Sequence, residues 1–278
     1  MKFKAICTDI DGTLLNSERQ LSQRTIDTFR KLDKNVPVIL ASSRMPSAMR
    51  HLQQELDILH HPLICFNGGY VLYFEDGKTA PTQLDSVQIS APICQAIHDF
   101  TQNTDIHVSL YAQDNWYAPQ RDYWAEREEK VTKVSPQIAD LAPILTRWHE
   151  QACGAHKVMC MGPADEIDAL QQELNSNYAE LVHAYRSKDT YLEIAPRAIS
   201  KATALELLLQ NRYGIALEEV VAFGDNYNDI DMLQAVGKGI AVANAREEVK
   251  AVADEMTLKS IEDGVAVAVE KHFLSVEV

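Results

Sequence analysis

The sequence predicts an α/β fold, a mostly parallel sheet with helices on both faces that is interrupted by an inserted α/β domain. Two observations carry this. Short apolar runs alternate with amphipathic or Ala/Leu-rich stretches at both ends of the chain, and several of the runs end in polar, glycine-bearing loops. The texture changes between about residues 84 and 188, where Trp116, Trp124 and Trp148 all fall.

The first run, Phe3-Lys4-Ala5-Ile6-Cys7-Thr8, is short and mostly apolar and leads into Asp9-Ile10-Asp11-Gly12, as a buried strand ending at a loop would. Ser22 to Lys34 carries Ile26, Phe29 and Leu32 among polar residues, which predicts an amphipathic helix with Ser22 as its cap. Val36 to Ala41 reads as the second strand and ends at Ser42-Ser43-Arg44. Residues 63–74 give further strand signals around Asn67-Gly68-Gly69. Inside the tryptophan-bearing segment, Ile106–Tyr111 and Lys157–Cys160 are strand-like and Ala164–Leu174 is helical. Ala202–Gln210 then reads as a helix, and Val220-Val221-Ala222-Phe223 as a strand before Gly224-Asp225-Asn226. In a parallel sheet of this kind, ligands bind outside the carboxyl ends of the strands, where these polar loops would converge.

The 278 residues, 46% of them hydrophobic, suffice for one large core or two smaller ones. With 26 basic against 40 acidic side chains the net charge is −14, which disfavours a nucleic-acid partner. Residues 1–20 lack a signal-peptide core and no run is long enough to cross a bilayer, so a soluble, cytoplasmic protein without a membrane partner is expected. The cysteines Cys7, Cys65, Cys94, Cys153 and Cys160 form no CxxC pair and read as reduced thiols. His60 and His61 read as surface loop residues.

Asp9 and Asp11 are two carboxylates separated by one residue on a loop that Gly12 lets turn sharply. Such a pair repels unless a cation or a shared proton offsets the charge, and its oxygens suit a hard ion such as magnesium. It is either a metal site or a nucleophile with its acid/base partner. Asp-Gly after a strand is also a common turn signal, so the run decides little by itself. Gly224-Asp225-Asn226-Tyr227-Asn228-Asp229 adds two more carboxylates, four residues apart at the expected start of a helix, a spacing that can set both on one helical face.

Taken in order with Ser42 after the second strand and Lys201 before the later helix, these residues resemble the haloacid dehalogenase superfamily. Within it the chain is most similar to the Cof-like sugar phosphatases. The likeness extends through Leu192-Glu193-Ile194-Ala195-Pro196, Ile240–Ala245 and Glu262–Ala266. It implies a discontinuous Rossmann-like core, residues 1–83 and 189–278, with an α/β cap at 84–188 that closes over the leaving group. It also implies a magnesium-dependent phosphatase acting on a small phosphorylated metabolite. Asp9 would be the nucleophile and Asp11 the general acid/base; Ile10, Ser42, Ser43, Lys201 and Asn228 would contact phosphate. Magnesium would lie on Asp9, the Asp11 carbonyl and Asp225, with Asp229 and Arg44 supporting. Ser42-Ser43-Arg44 departs from the family's usual Thr-Gly-Arg, and Arg44 reads equally well as a surface ion pair. A phosphoryl transferase or mutase on the same scaffold, or a sensor of a phosphate ligand, are the competing functions. Trp116, Tyr117 and Tyr111 are candidates for lining the cap opening, although aromatic residues more often pack a core.

Overall fold

The computed structural model describes residues 3–75, 77, 78 and 80–275. The opening apolar run forms β1 (Ala5–Thr8), buried throughout. Ile6 N–H donates to the carbonyl of Pro37, which has no N–H to return, and the partner strand β2 begins one residue later (Val38–Ala41). Between them lies α1 (Gln23–Arg30), capped by Ser22, whose hydroxyl accepts the Thr25 N–H at 3.0 Å. It stops short of Lys34 because Asp33 draws the Asn35 N–H into a local turn. Then follow α2 (Ser47–Glu55), β3 (Leu63–Cys65), β4 (Tyr70–Tyr73) and β5 (Thr82–Ser86).

The next stretch holds β6 (Ile89–Ser90), α3 (Ala91–Thr101), β7 (His107–Ala112), β8 (Asn115–Ala118), α4 (Tyr123–Thr132), β9 (Gln137–Ile138), α5 (Leu141–Glu150) and β10 (Gly154–Ala155). After these come β11 (Lys157–Met161), α6 (Ala164–Asn177), β12 (Val182–Lys188) and β13 (Tyr191–Pro196). The chain continues through α7 (Lys201–Arg212), β14 (Val220–Gly224), α8 (Ile230–Ala235), β15 (Lys238–Ala241), α9 (Glu247–Val252), β16 (Glu255–Met256) and α10 (Gly264–Val269).

Two units result, one of Met1–Ser43, Met49–Asp85 and Ser200–Val278, the other of Arg44–Ala48 and Ser86–Ile199. In the first, the sheet order is β16-β15-β14-β1-β2-β3-β4-β5, parallel from β16 to β3 and antiparallel between β3 and β4. The chain moves from β1 outward through β2 and β3, then returns to the other side of β1 as β14 and moves outward through β15. Right-handed crossovers in opposite directions put α1 and α8 on opposite faces. They also make the ends of β1 and β14 the topological switch point, where α/β sheets bind ligands.

In the second unit a sheet ordered β12-β13-β11-β7-β8-β9 turns Val108, Leu110, Val158, Cys160, Leu192 and Ile194 into one core with residues of α3, α5 and α6. The side chains between them point to the other face. There Trp116, 1% exposed, stacks on Tyr111 at 5.6 Å and donates its indole N–H to Ser109 Oγ at 2.9 Å. The two aromatics are interior packing, and Tyr117 meets Trp148 edge-on.

The expected boundary at 188/189 would separate β12 from β13, which are paired antiparallel strands of this second sheet; the unit runs on to Ile199. Alternation in Leu192-Glu193-Ile194 reads the same whichever sheet receives it. His61 corrects a second expectation. It is largely buried, and its Nδ1 accepts the N–H of Val38 at 2.9 Å, the donor left over where β2 begins. Burial lowers its pKa to about 4. All five cysteines are free thiols, and only Cys153 is not buried. Among the described residues no helix is long and apolar enough to cross a membrane.

Candidate active site

Asp9 directly follows β1 and stays tied to the sheet, its N–H donating to Phe223 O at 3.0 Å. Because β1 and β14 are parallel neighbours, Asp225, just past β14, emerges at the same edge. Lys201 opens α7, whose cap Ser200 accepts the Thr203 N–H. The lysine side chain, with no exposed surface, donates to Asp9 Oδ1 at 2.5 Å and to Asp229 Oδ1 at 2.7 Å. The other oxygen of Asp229 accepts the N–H groups of Asp225 (2.9 Å) and Asn226 (3.0 Å). A side chain at position 224 would meet Asp229, since a Cβ there lies 2.4 Å from Asp229 Cβ. Asp225 and Asp229 therefore do not share a helical face. Asp225 precedes a 3₁₀ turn at Tyr227–Asp229, and that turn folds Asp229 back onto the Asp225 main chain.

One oxygen from each of Asp9, Asp225 and Asp229 falls within 4.8 Å of the others. Lys201 supplies positive charge directly bonded to this set. Burial pushes the Asp9 carboxyl well above its usual range, with Lys201 opposing and Asp229 and Asp225 reinforcing the shift. Asp225 is pushed up to about 6 by burial, against the hydrogen bond from Thr13. Burial works against the Lys201 ammonium, yet Asp229 and Asp9 hold it protonated above its ordinary value. An excess of buried carboxylate with an all-oxygen donor set fits a hard divalent cation. Both oxygens of Asp229 are already engaged, so Asp9 and Asp225 are the carboxylates left to ligate and Asp229 fixes their surroundings.

The remaining sequence candidates divide. Asp11 is not one of the three converging carboxylates; it is about one-third exposed, with Oδ1 3.3 Å from Arg19 Nη1. The Ile10 side chain is wholly buried, so only its main chain is available to a ligand; its carbonyl accepts from Leu14 and Leu15. Ser42 is buried at the end of β2; its carbonyl accepts the Asn67 N–H at 2.9 Å, joining the second loop to the third. Ser43 is half-buried beside it. Arg44 is buried rather than at the surface, and donates to Ala48 O at 3.1 Å. Asn228 donates its amide to Asn67 Oδ1 at 2.9 Å.

Two polar residues with no role expected from the sequence also enter. Thr13 is buried and donates to Asp225 Oδ1 at 2.7 Å, across 212 positions of sequence. Asn244 donates to Gly12 O at 2.7 Å and accepts from Ser260 N at 2.8 Å, bracing the first loop from the far side. The signals were present, since Thr13 continues the first motif and Asn244 lies in a segment that carries the resemblance, but neither residue type names its partner. Gly12, at φ +91°, sits so close that a Cβ there would be 2.5 Å from Asp225 Oδ2.

The sequence profile of the haloacid dehalogenase-like hydrolases matches residues 6–269. A candidate phosphatase of Haemophilus influenzae is 30% identical over 98% of this chain and 99% of its own length. A 5-amino-6-(5-phospho-D-ribitylamino)uracil phosphatase, YitU of Bacillus subtilis, is 25% identical over 96% of this chain and 97% of its own. A haloacid dehalogenase-like hydrolase from Bacteroides thetaiotaomicron has a crystal structure that superimposes with a TM-score of 0.86 at 27% identity, covering 98% of this chain and all of that one. With its profile match spanning nearly the whole chain and its carboxylates gathered at the switch point of the sheet, the chain belongs to the haloacid dehalogenase-like hydrolases, as the order of its motifs implies.

Proposed function

We propose that the protein is a magnesium-dependent phosphatase of small phosphomonoesters and works through a phosphoryl group carried on Asp9. The observation that carries this reading is the contact of Lys201 with Asp9 and Asp229 beside Asp225, a buried set with more carboxylate than cation. Asp9 and Asp225 would hold the metal with the main-chain carbonyl of Asp11. Bound magnesium would offset negative charge on the phosphoryl oxygens.

The chain's own groups do the rest. Asp9 attacks phosphorus in line and the bond to the leaving oxygen breaks. Asp11 gives that oxygen a proton, and the alcohol departs. Asp11, now a carboxylate, takes a proton from water; the water oxygen attacks phosphorus, the bond to Asp9 breaks, and phosphate leaves with Asp9 restored. Lys201 stays protonated throughout and faces the charge that develops as the phosphoryl group passes between oxygens. Ser42 and the main chain of Ser43 and Ile10 are assigned to the phosphate oxygens together with Asn228, and substrate choice is assigned to the second unit. The YitU relative is named for a substrate that joins a phosphorylated sugar alcohol to a pyrimidine, and a molecule of that size and charge is the class proposed.

The test is magnesium-dependent phosphate release from an aryl phosphate by purified protein and by Asp9→Asn. Activity that disappears with chelation and with the substitution supports the reading. Undiminished release from Asp9→Asn removes the nucleophile.

A further inference from the structure

Arg19 takes no part in the proposed reaction, and its geometry is unusual. The loop after the first motif closes on Asn16, whose Oδ1 accepts the N–H groups of Glu18 (3.0 Å) and Gln20 (2.9 Å). Asn16 N–H donates to Gln20 O and Arg19 N–H donates to Asn16 O, both at 3.0 Å. This closed turn holds Arg19 at φ +58°, a left-handed conformation in which a glycine would sit without strain. The turn aims the guanidinium back across the loop, and Nη1 lies 3.3 Å from Asp11 Oδ1. Both side chains are well exposed, 49% and 36%, so the pair adds little to stability. A long cationic residue thus occupies a strained position for a contact of little structural worth, and what it touches is the carboxyl group assigned to proton transfer.

We propose that Arg19 is a positioning residue for Asp11. By holding Oδ1, it restricts the rotation of the carboxyl group and keeps it directed for proton exchange with the leaving oxygen. This rests on Asp11 being the acid. Proton donation matters in proportion to how poor the leaving group is. A residue that orients the donor therefore matters most for poor leaving groups, whereas one that only shapes the loop affects all substrates alike.

The experiment measures kcat/KM, which reports the phosphorylation half-reaction, for 2,4-dinitrophenyl phosphate and phenyl phosphate in wild type, Asp11→Asn, Arg19→Ala, Arg19→Lys and Arg19→Gly. The expected result for Arg19→Ala is a loss of about 5-fold on phenyl phosphate and under about 2-fold on the dinitrophenyl ester, the scale of a lost orientation rather than a lost donor. Asp11→Asn shows the same pattern at larger amplitude, Arg19→Lys recovers most of the loss, and Arg19→Gly repeats it while melting no lower than wild type. Equal losses on both esters, or none, in Arg19→Ala would overturn the inference while leaving the acid role of Asp11 standing. Absence of leaving-group dependence in Asp11→Asn would overturn both.

Discussion

Lys201→Met is the perturbation that most sharply separates a buried electrostatic site from a packed one. Methionine keeps the length and most of the volume of the side chain and removes its charge. It leaves Asp9 and Asp229, both bonded to the ammonium, facing each other and Asp225 without a counterion. Breaking a buried ion pair by removing one partner costs about 3–5 kcal/mol. An independent bound comes from protonation: holding one carboxylic acid of ordinary pKa in its neutral form at pH 7 costs about 4 kcal/mol. The two agree, so a loss of about 4 kcal/mol is expected in metal-free protein at pH 7, a large part of the typical margin of stability. In the variant the folded state binds more protons than the unfolded, so the deficit shrinks as pH falls. Each carboxylate protonated recovers about 2.7 kcal/mol between pH 7 and pH 5. Urea unfolding followed by far-ultraviolet circular dichroism is the assay, because Trp116, Trp124 and Trp148 all lie in the second unit and their emission would miss the first. A loss under about 1 kcal/mol at pH 7, or a loss that does not shrink at pH 5, would mean that Lys201 is not the counterion of these carboxylates.

Three further outcomes are expected. Thr13→Val removes the donor to Asp225 with almost no change in shape; magnesium titration of activity should give a half-saturating concentration raised about tenfold with kcat nearly preserved at saturation, and an unchanged concentration would deny Thr13 that role. Gly12→Ala puts a Cβ on Asp225 and forces an alanine to φ +91°; it should abolish most activity while circular dichroism remains that of wild type, and a fully active variant would mean that the loop is not held where it lies. His61→Gln tests linkage: the folded pKa of about 4 lies below the unfolded value near 6.5, so the stability tied to neutral His61 is present above about pH 6.5 and is lost as pH falls toward 4. Wild type should therefore lose about 2 kcal/mol more than the variant between pH 7 and pH 5, and parallel pH profiles would contradict the burial of a neutral imidazole.

The buried carboxylates and their lysine are legible in the sequence because their placement depends on order along the chain. Asp9, Lys201 and Asp225 each adjoin an element that apolar patterning identifies, and the strand ends of a parallel sheet have one edge to share. What stayed hidden depends on partners rather than patterns. The hydroxyl of Thr13 and the amide of Asn244 reach across the fold to groups more than 200 positions away. His61 reads as a surface residue because the donor that needs it, Val38 N–H, is left without a strand partner only where β2 pairs with β3 from Leu40 onward. The spacing of Asp225 and Asp229 suggested a helical face, but the groups that claim Asp229 Oδ2 are main-chain N–H donors of a 3₁₀ turn, which no periodicity reveals. The boundary at 188/189 misplaced β13 because its alternation records a buried face without saying whose.

In the proposed reaction Asp9 carries the phosphoryl group. The most direct test is to mix the protein with magnesium and an aryl phosphate, quench in acid within one turnover, digest, and map the modified peptide by mass spectrometry. One added phosphoryl group is expected on the peptide that contains Asp9, sensitive to hydroxylamine as an acyl phosphate is and absent from Asp9→Asn. Phosphate release in the same mixture with that group on any other residue would contradict it.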